Sequence, residues 1–324
     1  MTKLELDLME YSSDGNAQAA YVTNATEVVN QQQTSADIYR YLGGDSGSEF
    51  QVGQEFQLQS STIVTAIEIK QVTTAGIPTG NWTLKIETSD GSDNPTGTLA
   101  NANASVVVVP PGNGTIIKGT FATSFILNSD TKYHITITAA NQGADKGWGI
   151  SSNSTNSYSY GGVNRGVNGS WTVYYSDQAL YFKIYTRSLQ SYSESTIKTQ
   201  GSYALKAVAA ITDSLNKTLT KTFSTPLDLS GVNTAKIDMR ASRTGANVKL
   251  GLHDTGGTTT ELTPTINTAD TYQTVSWDLS GVADADKNAI DTLTLTQINA
   301  DSATTYYVDN FGISQGINIF GIVG

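Results

Sequence analysis

The sequence predicts an all-β chain of two tandem antiparallel β-sandwich domains behind an N-terminal arm. Three observations predict it. Apolar and polar residues alternate with a period of two over many short runs, while helical periodicity is nearly absent. Clusters of Gly, Pro, Asn and Asp punctuate those runs at sandwich-like intervals. The composition favours strands: 45 Thr and 16 Tyr stand beside 30 Gly, and only 15% of residues are charged.

Residues 1–35 come first. They are polar, carry the run Gln31-Gln32-Gln33, and show little alternation. They read either as a first strand plus a loop or as an arm that docks on a partner subunit. Residues 36–187 form the first sandwich. Trp82, Leu84 and Ile86 share one strand face, with Thr83, Lys85 and Glu87 on the other. The runs from Tyr133 to Thr138 and from Leu180 to Tyr185 repeat the pattern. Turn clusters at 76–80, 89–95 and 110–114 separate the strands. Residues 188–314 form the second sandwich. Its alternating runs are 235–241, 248–253, 273–279, 293–295 and 306–309. The short boundary near Arg187 is not rich in Pro or Gly, so no loose tether is expected. Residues 315–324 are an apolar tail, too short to span a bilayer and suited to an edge strand or to strand addition.

Composition excludes several classes. With 19 Lys+Arg against 29 Asp+Glu the net charge is −10, and no basic stripe offsets it, so nucleic acid is not an expected partner. There is no cysteine, hence no disulfide scaffold, zinc–thiolate site or thiol nucleophile. No apolar run is long enough for a membrane helix, and the first residues lack the charged head and apolar stretch of a secretory signal. With 28 aromatic residues in total the chain is not of the disordered class. No enzyme is expected. The two histidines, His134 and His253, have no triad motif around them, and His253 and Asp254 fall on opposite strand faces. No Gly-x-Ser-x-Gly elbow occurs. Asp90, Asp93, Asp284 and Asp286 sit in turns rather than as a facing carboxylate pair.

Four segments of the second block carry a resemblance: Ser193-Glu-Ser-Thr-Ile-Lys-Thr-Gln-Gly201-Ser-Tyr-Ala-Leu-Lys206, Pro226 to Val232, Thr274 to Val282, and the closing Tyr306-Tyr-Val-Asp-Asn-Phe311. Over about 120 residues the block resembles the jelly-roll carbohydrate-binding modules. The resemblance implies a jelly-roll-like fold and one structural calcium where the first and last strands meet. Glu194 and Asp309 would be its side-chain ligands, with carbonyls near Gly201. The alternative is that Asp309 caps a turn and Glu194 is solvated. Calcium takes 6–8 oxygens, which two carboxylates plus carbonyls can begin to supply.

The first block has its own pattern: Gln54 to Leu58, Ile63 to Ile69, Pro78 to Ile86, Asp93 to Ala100, and Tyr181-Phe-Lys-Ile-Tyr185. It is similar to a β-sandwich domain of phage tail and head-decoration proteins and of some bacterial surface proteins. Together the resemblances imply a bacteriophage virion protein: a capsid decoration, head fibre or tail accessory assembled in the host cytoplasm. Its expected partners are other virion proteins, sister subunits, and host or mucus glycans. The rival reading is a secreted or surface carbohydrate-binding adhesion protein of a bacterium.

Sugar recognition needs aromatic faces for C–H surfaces and polar side chains for hydroxyls. Trp82 and Trp277 share faces with aliphatic residues and read as core. Trp148 lies in a loop-like context. From it to Tyr175 the chain is rich in Tyr, Asn, Ser and Gly, the composition of adaptable binding loops. It reads either as such a loop or as a hairpin with its aromatics folded on the sandwich edge. Tyr158, Tyr160, Arg165, Trp171 and Tyr174 are the glycan-contact candidates there. Arg240, Arg243 and His253 are the candidates in the second block, Arg240 and His253 on the polar faces of their strands; the alternative is an ordinary solvated strand face.

Overall fold

The structure is a computed structural model, and it describes residues 3–7, 9–45, 48–139, 145–155 and 158–314. The tail at 315–324 lies outside the described residues. The chain divides into two compact units: Glu27–Arg187, and Met1–Thr26 joined with Ser188–Gly324. Both are built of antiparallel strands.

The 27–187 unit is a sandwich whose two layers share one strand. Thr62–Ala75 is fourteen residues long and buried on both faces over most of its length. Through residues 62–70 it lies between Ile116–Leu127 and Phe182–Thr186, and Val28–Gln33 completes that layer. Residues 71–75 pair instead with Lys146–Asn153, across a register shift, and so enter the second layer. A bulge that bends a strand from one sheet into another is how sandwiches turn a corner. The second layer continues through Ile38–Asp45, Ser48–Gln57, Lys132–Ala139 and Trp82–Ser89. Pro95–Leu99 and Ser105–Val108 both pair with Trp82–Ser89. Between the layers lie Ile67, Ile69, Phe125, Phe182 and Ile184 on one side and Val52, Phe56, Leu84, Ile86, Ile135 and Ile137 on the other, all buried.

The other unit places two sheets around a second core. One orders Leu189–Glu194, Ala204–Ala209, Thr304–Ser314, Thr234–Ala241 and Gln273–Asp278, with Lys3–Asp7 added to the end of Thr304–Ser314. The other orders Val22–Thr23, Thr218–Leu227, Ile290–Gln297, Val248–Asp254 and Thr259–Leu262. Their alternating apolar residues, among them Ile237, Met239, Leu250, Leu293, Trp277 and Phe311, fill the space between. Trp82 and Trp277 are core in their respective units, 0% and 1% exposed.

The N-terminal segment departs from the sequence expectation. It is neither a free arm nor one strand and a loop. Residues 3–26 belong to the second sandwich: Met9 and Tyr21 are fully buried in its core. A short helix, Asp14–Ala20, is capped by Ser13, whose hydroxyl accepts from the Asn16 amide at 3.2 Å. At its other end the Ser191 hydroxyl meets the carbonyls of Ala17 and Tyr21 at 3.2 and 3.1 Å. The Glu10 carboxylate accepts from the amides of Ser202 and Tyr203. Residues 28–33, by contrast, belong to the first sandwich, pairing with Phe182–Thr186. The first sandwich is therefore an insertion into the second, not its predecessor.

Val28 pairs with Thr186, so the insertion begins and ends on neighbouring strands. Residues 27–187 expressed alone are expected to fold, giving a dispersed amide NMR spectrum and one cooperative melt. A collapsed spectrum would contradict the division.

Candidate functional site

The residues singled out in the first sandwich fall into two groups. Val163–Val167 and Ser170–Tyr175 form a hairpin that adds to Ser48–Gln57. Its turn is Asn168-Gly169, both at positive φ, the chemistry a two-residue hairpin turn demands. Arg165, Trp171 and Tyr174 belong to this hairpin. Arg165 places its guanidinium 4.3 Å from the centre of the Phe50 ring. The Trp171 ring lies over Gly53, and a Cβ there would stand 3.3 Å from it. Tyr174 donates to the Glu55 carboxylate at 2.5 Å. Burial, with the Glu55 charge, drives its phenol above the ordinary range. Trp148 is not in a loop. It sits in Lys146–Asn153, 3% exposed, edge-on to Trp82 at 5.8 Å.

A polar cluster adjoins the hairpin. Glu55 is fully buried and pairs with Lys132 at 2.9 Å, which also reaches Asp93 at 2.6 Å. Asn164, also fully buried, donates to the Asp93 carbonyl at 2.8 Å. His134 lies on the nominally polar face of its strand, yet it is 0% exposed, with Nε2 3.0 Å from the Ser89 hydroxyl. Burial pushes its imidazole down to about 4, against the opposing influence of Asn164, Asp93 and Asp90. It is a neutral structural histidine without access to a substrate.

Tyr158 and Tyr160 form the second group. They line a groove of about 400 Å³ with Asn30, Gln31, Gln32, Gln59, Ser60 and Ser159. Tyr158 is its fixed base: the ring stands edge-on to Phe182 at 5.0 Å, and the hydroxyl donates to Gln31 Oε1. Gln31 in turn donates to the Gln57 carbonyl at 2.7 Å, so both ends of its amide are held. Tyr160 packs edge-on to Tyr158 at 5.8 Å and is 41% exposed. Asn30, Gln32, Gln59, Ser60 and Ser159 are exposed around it. The lining is one open aromatic ring, four side-chain amides and two hydroxyls, without a charge. Arg165, Trp171 and Tyr174 do not line this groove. Sequence reasoning missed its amide wall, although the Gln31–Gln33 run was visible.

In the second sandwich Arg240 and His253 lie on different sheets. Arg240 is 3.2 Å from Asp270 and stacks over Tyr307 at 5.4 Å. His253 Nδ1 is 2.7 Å from Asp291, and this contact holds the Asp291 carboxyl below its usual range. The two calcium candidates both touch the loop after Leu189–Glu194. The Glu194 carboxylate accepts from the amides of Thr196 and Ile197, a turn cap. Asp309, fully buried, accepts on Oδ2 from the amides of Thr199 and Gln200 at 2.6 and 3.1 Å.

A neighbouring carboxylate was not foreseen. Asp238 is 8% exposed and lies opposite Asp309 in the sheet register. The Thr199 hydroxyl stands 2.9 Å from Asp309 and 3.0 Å from Asp238, yet it carries one proton and satisfies one of them. Asn310, at positive φ in the adjacent bulge, donates to Asp238 at 2.8 Å. Oδ1 of Asp309 and of Asn310 are buried without a partner among the described residues. Thr274 donates to Oδ1 of Asp238 at 2.6 Å, so the spare buried oxygens are Oδ1 of Asp309 and of Asn310; with no cation paired to either carboxylate among the described residues, they are donors that fit a hard cation. No group of three His, Cys, Asp or Glu side chains suited to a metal occurs among the described residues, so backbone or amide oxygens must complete any shell.

No family model matches the chain, and no curated protein matches it. Among solved structures it is similar to the family 30 carbohydrate-binding module of a cellulosomal cellulase of Clostridium thermocellum, at 15% identity over 41% of this chain and 88% of that one, with a TM-score of 0.33. It is also similar to the N-terminal CBM22 tandem domain of a Paenibacillus barcinonensis protein, at 10% identity over 97% and 99%, with a TM-score of 0.28. An exo-β-agarase matches at 15% identity over 40% of this chain, with a TM-score of 0.34; the match spans 23% of that protein's length. Likeness at these values carries no inference about what this chain binds.

The buried His134 makes stability pH-dependent. Above about pH 6.5 the ring is neutral in folded and unfolded chains alike. Between pH 6.5 and about 4 the unfolded chain takes up a proton that the folded one refuses, so stability falls by as much as about 3 kcal/mol. Thermal melts from pH 7 to 4.5 are expected to show this loss, and His134→Asn to flatten it. An equal slope in the variant would contradict the assignment.

Proposed function

We propose that this chain is a non-enzymatic structural protein of a bacteriophage virion that binds host or mucus glycans through the Tyr158–Tyr160 groove. The observation that carries the glycan reading is the groove's lining. An exposed ring on a fixed aromatic base offers a stacking face for a sugar, and uncharged amides and hydroxyls around it offer donors and acceptors for ring hydroxyls. The base is held before any ligand arrives, which lowers the cost of ordering it. The virion role, as capsid decoration, head fibre or tail accessory with sister subunits and other virion proteins as partners, rests on the resemblance of residues 36–187. The resemblance of residues 188–314 favours the second reading, a secreted or surface carbohydrate-binding adhesion protein of a bacterium. Among the described residues no helix is long and apolar enough to cross a membrane.

We also propose one structural calcium at Asp309, with Asp238 and the Asn310 side-chain oxygen beside it. When bound it would offset the two carboxylates. This chain's own part is to hold those oxygens in place through Thr199 and the bulge at Asn310. Glu194 serves the turn above it.

A screen of bacterial surface polysaccharides and mucin glycans tests the first proposal. Wild type is expected to bind, Tyr160→Ala to lose about tenfold or more, and Trp171→Ala to keep binding if it folds. Binding indifferent to Tyr160, or none at all, would remove the groove from the account. Mass spectrometry of purified particles tests the virion role: the chain is expected among the particle proteins. For calcium, chelation is expected to lower the Tm and calcium to restore it. A Tm unmoved in both wild type and Asp309→Ala would rule the ion out.

A further inference from the structure

The edge of the first sandwich carries a strand without the usual protection. Ser105–Val108 pairs with Trp82–Ser89 along one side only: Trp82 opposes Val108, Thr83 opposes Val107, Leu84 opposes Val106 and Lys85 opposes Ser105. Its other side has no strand partner among the described residues. An edge of this kind presents a row of unpaired amide and carbonyl groups, and proteins usually blunt it with Lys, Pro or a bulge within the strand. Here the run is Ser105-Val-Val-Val-Val109, β-branched and uncharged, and the prolines come after it, at 110 and 111.

The outward side chains are apolar as well. Val106 and Val108 turn toward the core, whereas Val107 is 61% and Val109 69% exposed. Ile77, 80% exposed, lines one cavity with Pro110 and Gly112, so a further apolar side chain lies beside the end of the strand. Electrostatics point the same way. The chain carries a net charge of −10, so two copies repel in most orientations. Residues 94–117 contain no Asp, Glu, Lys or Arg, so the edge strand itself brings no like charges together; the charged side chain in its register is Lys85, opposite Ser105.

We propose that a second copy of this chain pairs with the free edge of residues 105–109, antiparallel and about a two-fold axis. An antiparallel edge is self-complementary: the same strand supplies both halves, which a closed dimer requires. With the axis at Val107, Val106 of one copy faces Val108 of the other, and Ser105 faces Val109. The two outward Val107 side chains then stand directly opposite each other. This deepens the sister-subunit part of the function proposed above. It does not depend on glycan binding, which is measured separately on the same samples.

The test is sedimentation velocity of the full chain over a wide concentration range, for wild type, Val107→Lys and Val107→Thr. Wild type is expected to dimerise. Val107→Lys sets two ammonium groups opposite each other and is expected to weaken association about tenfold or more, while Val107→Thr, still β-branched, keeps it. Amide hydrogen exchange at residues 105–109 is expected to be slow in the wild-type dimer and fast in the Lys variant. If Val107→Lys fails to fold, Val109→Lys takes its place, with the same expectation. A wild type that stays monomeric at the highest concentration would overturn the proposal. So would a folded Lys variant that dimerises as well as wild type.

Discussion

The pairing of Val28–Gln33 with Phe182–Thr186 is the constraint on which the rest of this structure depends. It brings together residues 149 to 158 positions apart in sequence and closes the first sandwich on itself. Because it is closed, residues 3–26 are released to the second sandwich, where Met9, Ala17 and Tyr21 complete a core that begins again at Leu189. The same pairing sets Gln31 beside Tyr158. The groove is thus a product of chain closure, and not of any one loop.

Much of the fold was legible because it is local. Strands such as Trp82–Ser89, Lys132–Ala139 and Thr234–Ala241 alternate cleanly, and alternation alone places Trp82 and Trp277 in the cores. What was not legible is non-local or counter to pattern. Val28–Gln33 carries three consecutive glutamines and reads as polar chain until its distant partner is known. Trp148 reads as loop because Gly147 and Gly149 flank it. These strand positions hold glycine because Leu42 and the Tyr41 ring at one, and Thr73 and the Tyr39 ring at the other, lie where a side chain would be.

The candidate site was half legible for a related reason. Composition singled out the Tyr-rich stretch, but it cannot say which aromatics are already engaged. Tyr174, Arg165 and Trp171 are committed to Glu55, Phe50 and the surface over Gly53, whereas Tyr160 keeps an open face. Strand polarity was equally blind to burial. His134 and Glu55 sit on a polar strand face and Asn164 on the hairpin beside it, yet all three are buried. The resemblance singled out Asp309, whereas the facing Asp238 is visible only in the strand register.

The proposed seat of a sugar is the amide-walled groove at Tyr160. Titration of 15N-labelled protein with an oligosaccharide that it retains tests this most directly, read at the side-chain amides. Shifts are expected at Gln31, Gln32 and Gln59 and none at the Trp171 indole. Shifts at the indole with the glutamines unmoved would contradict that seat.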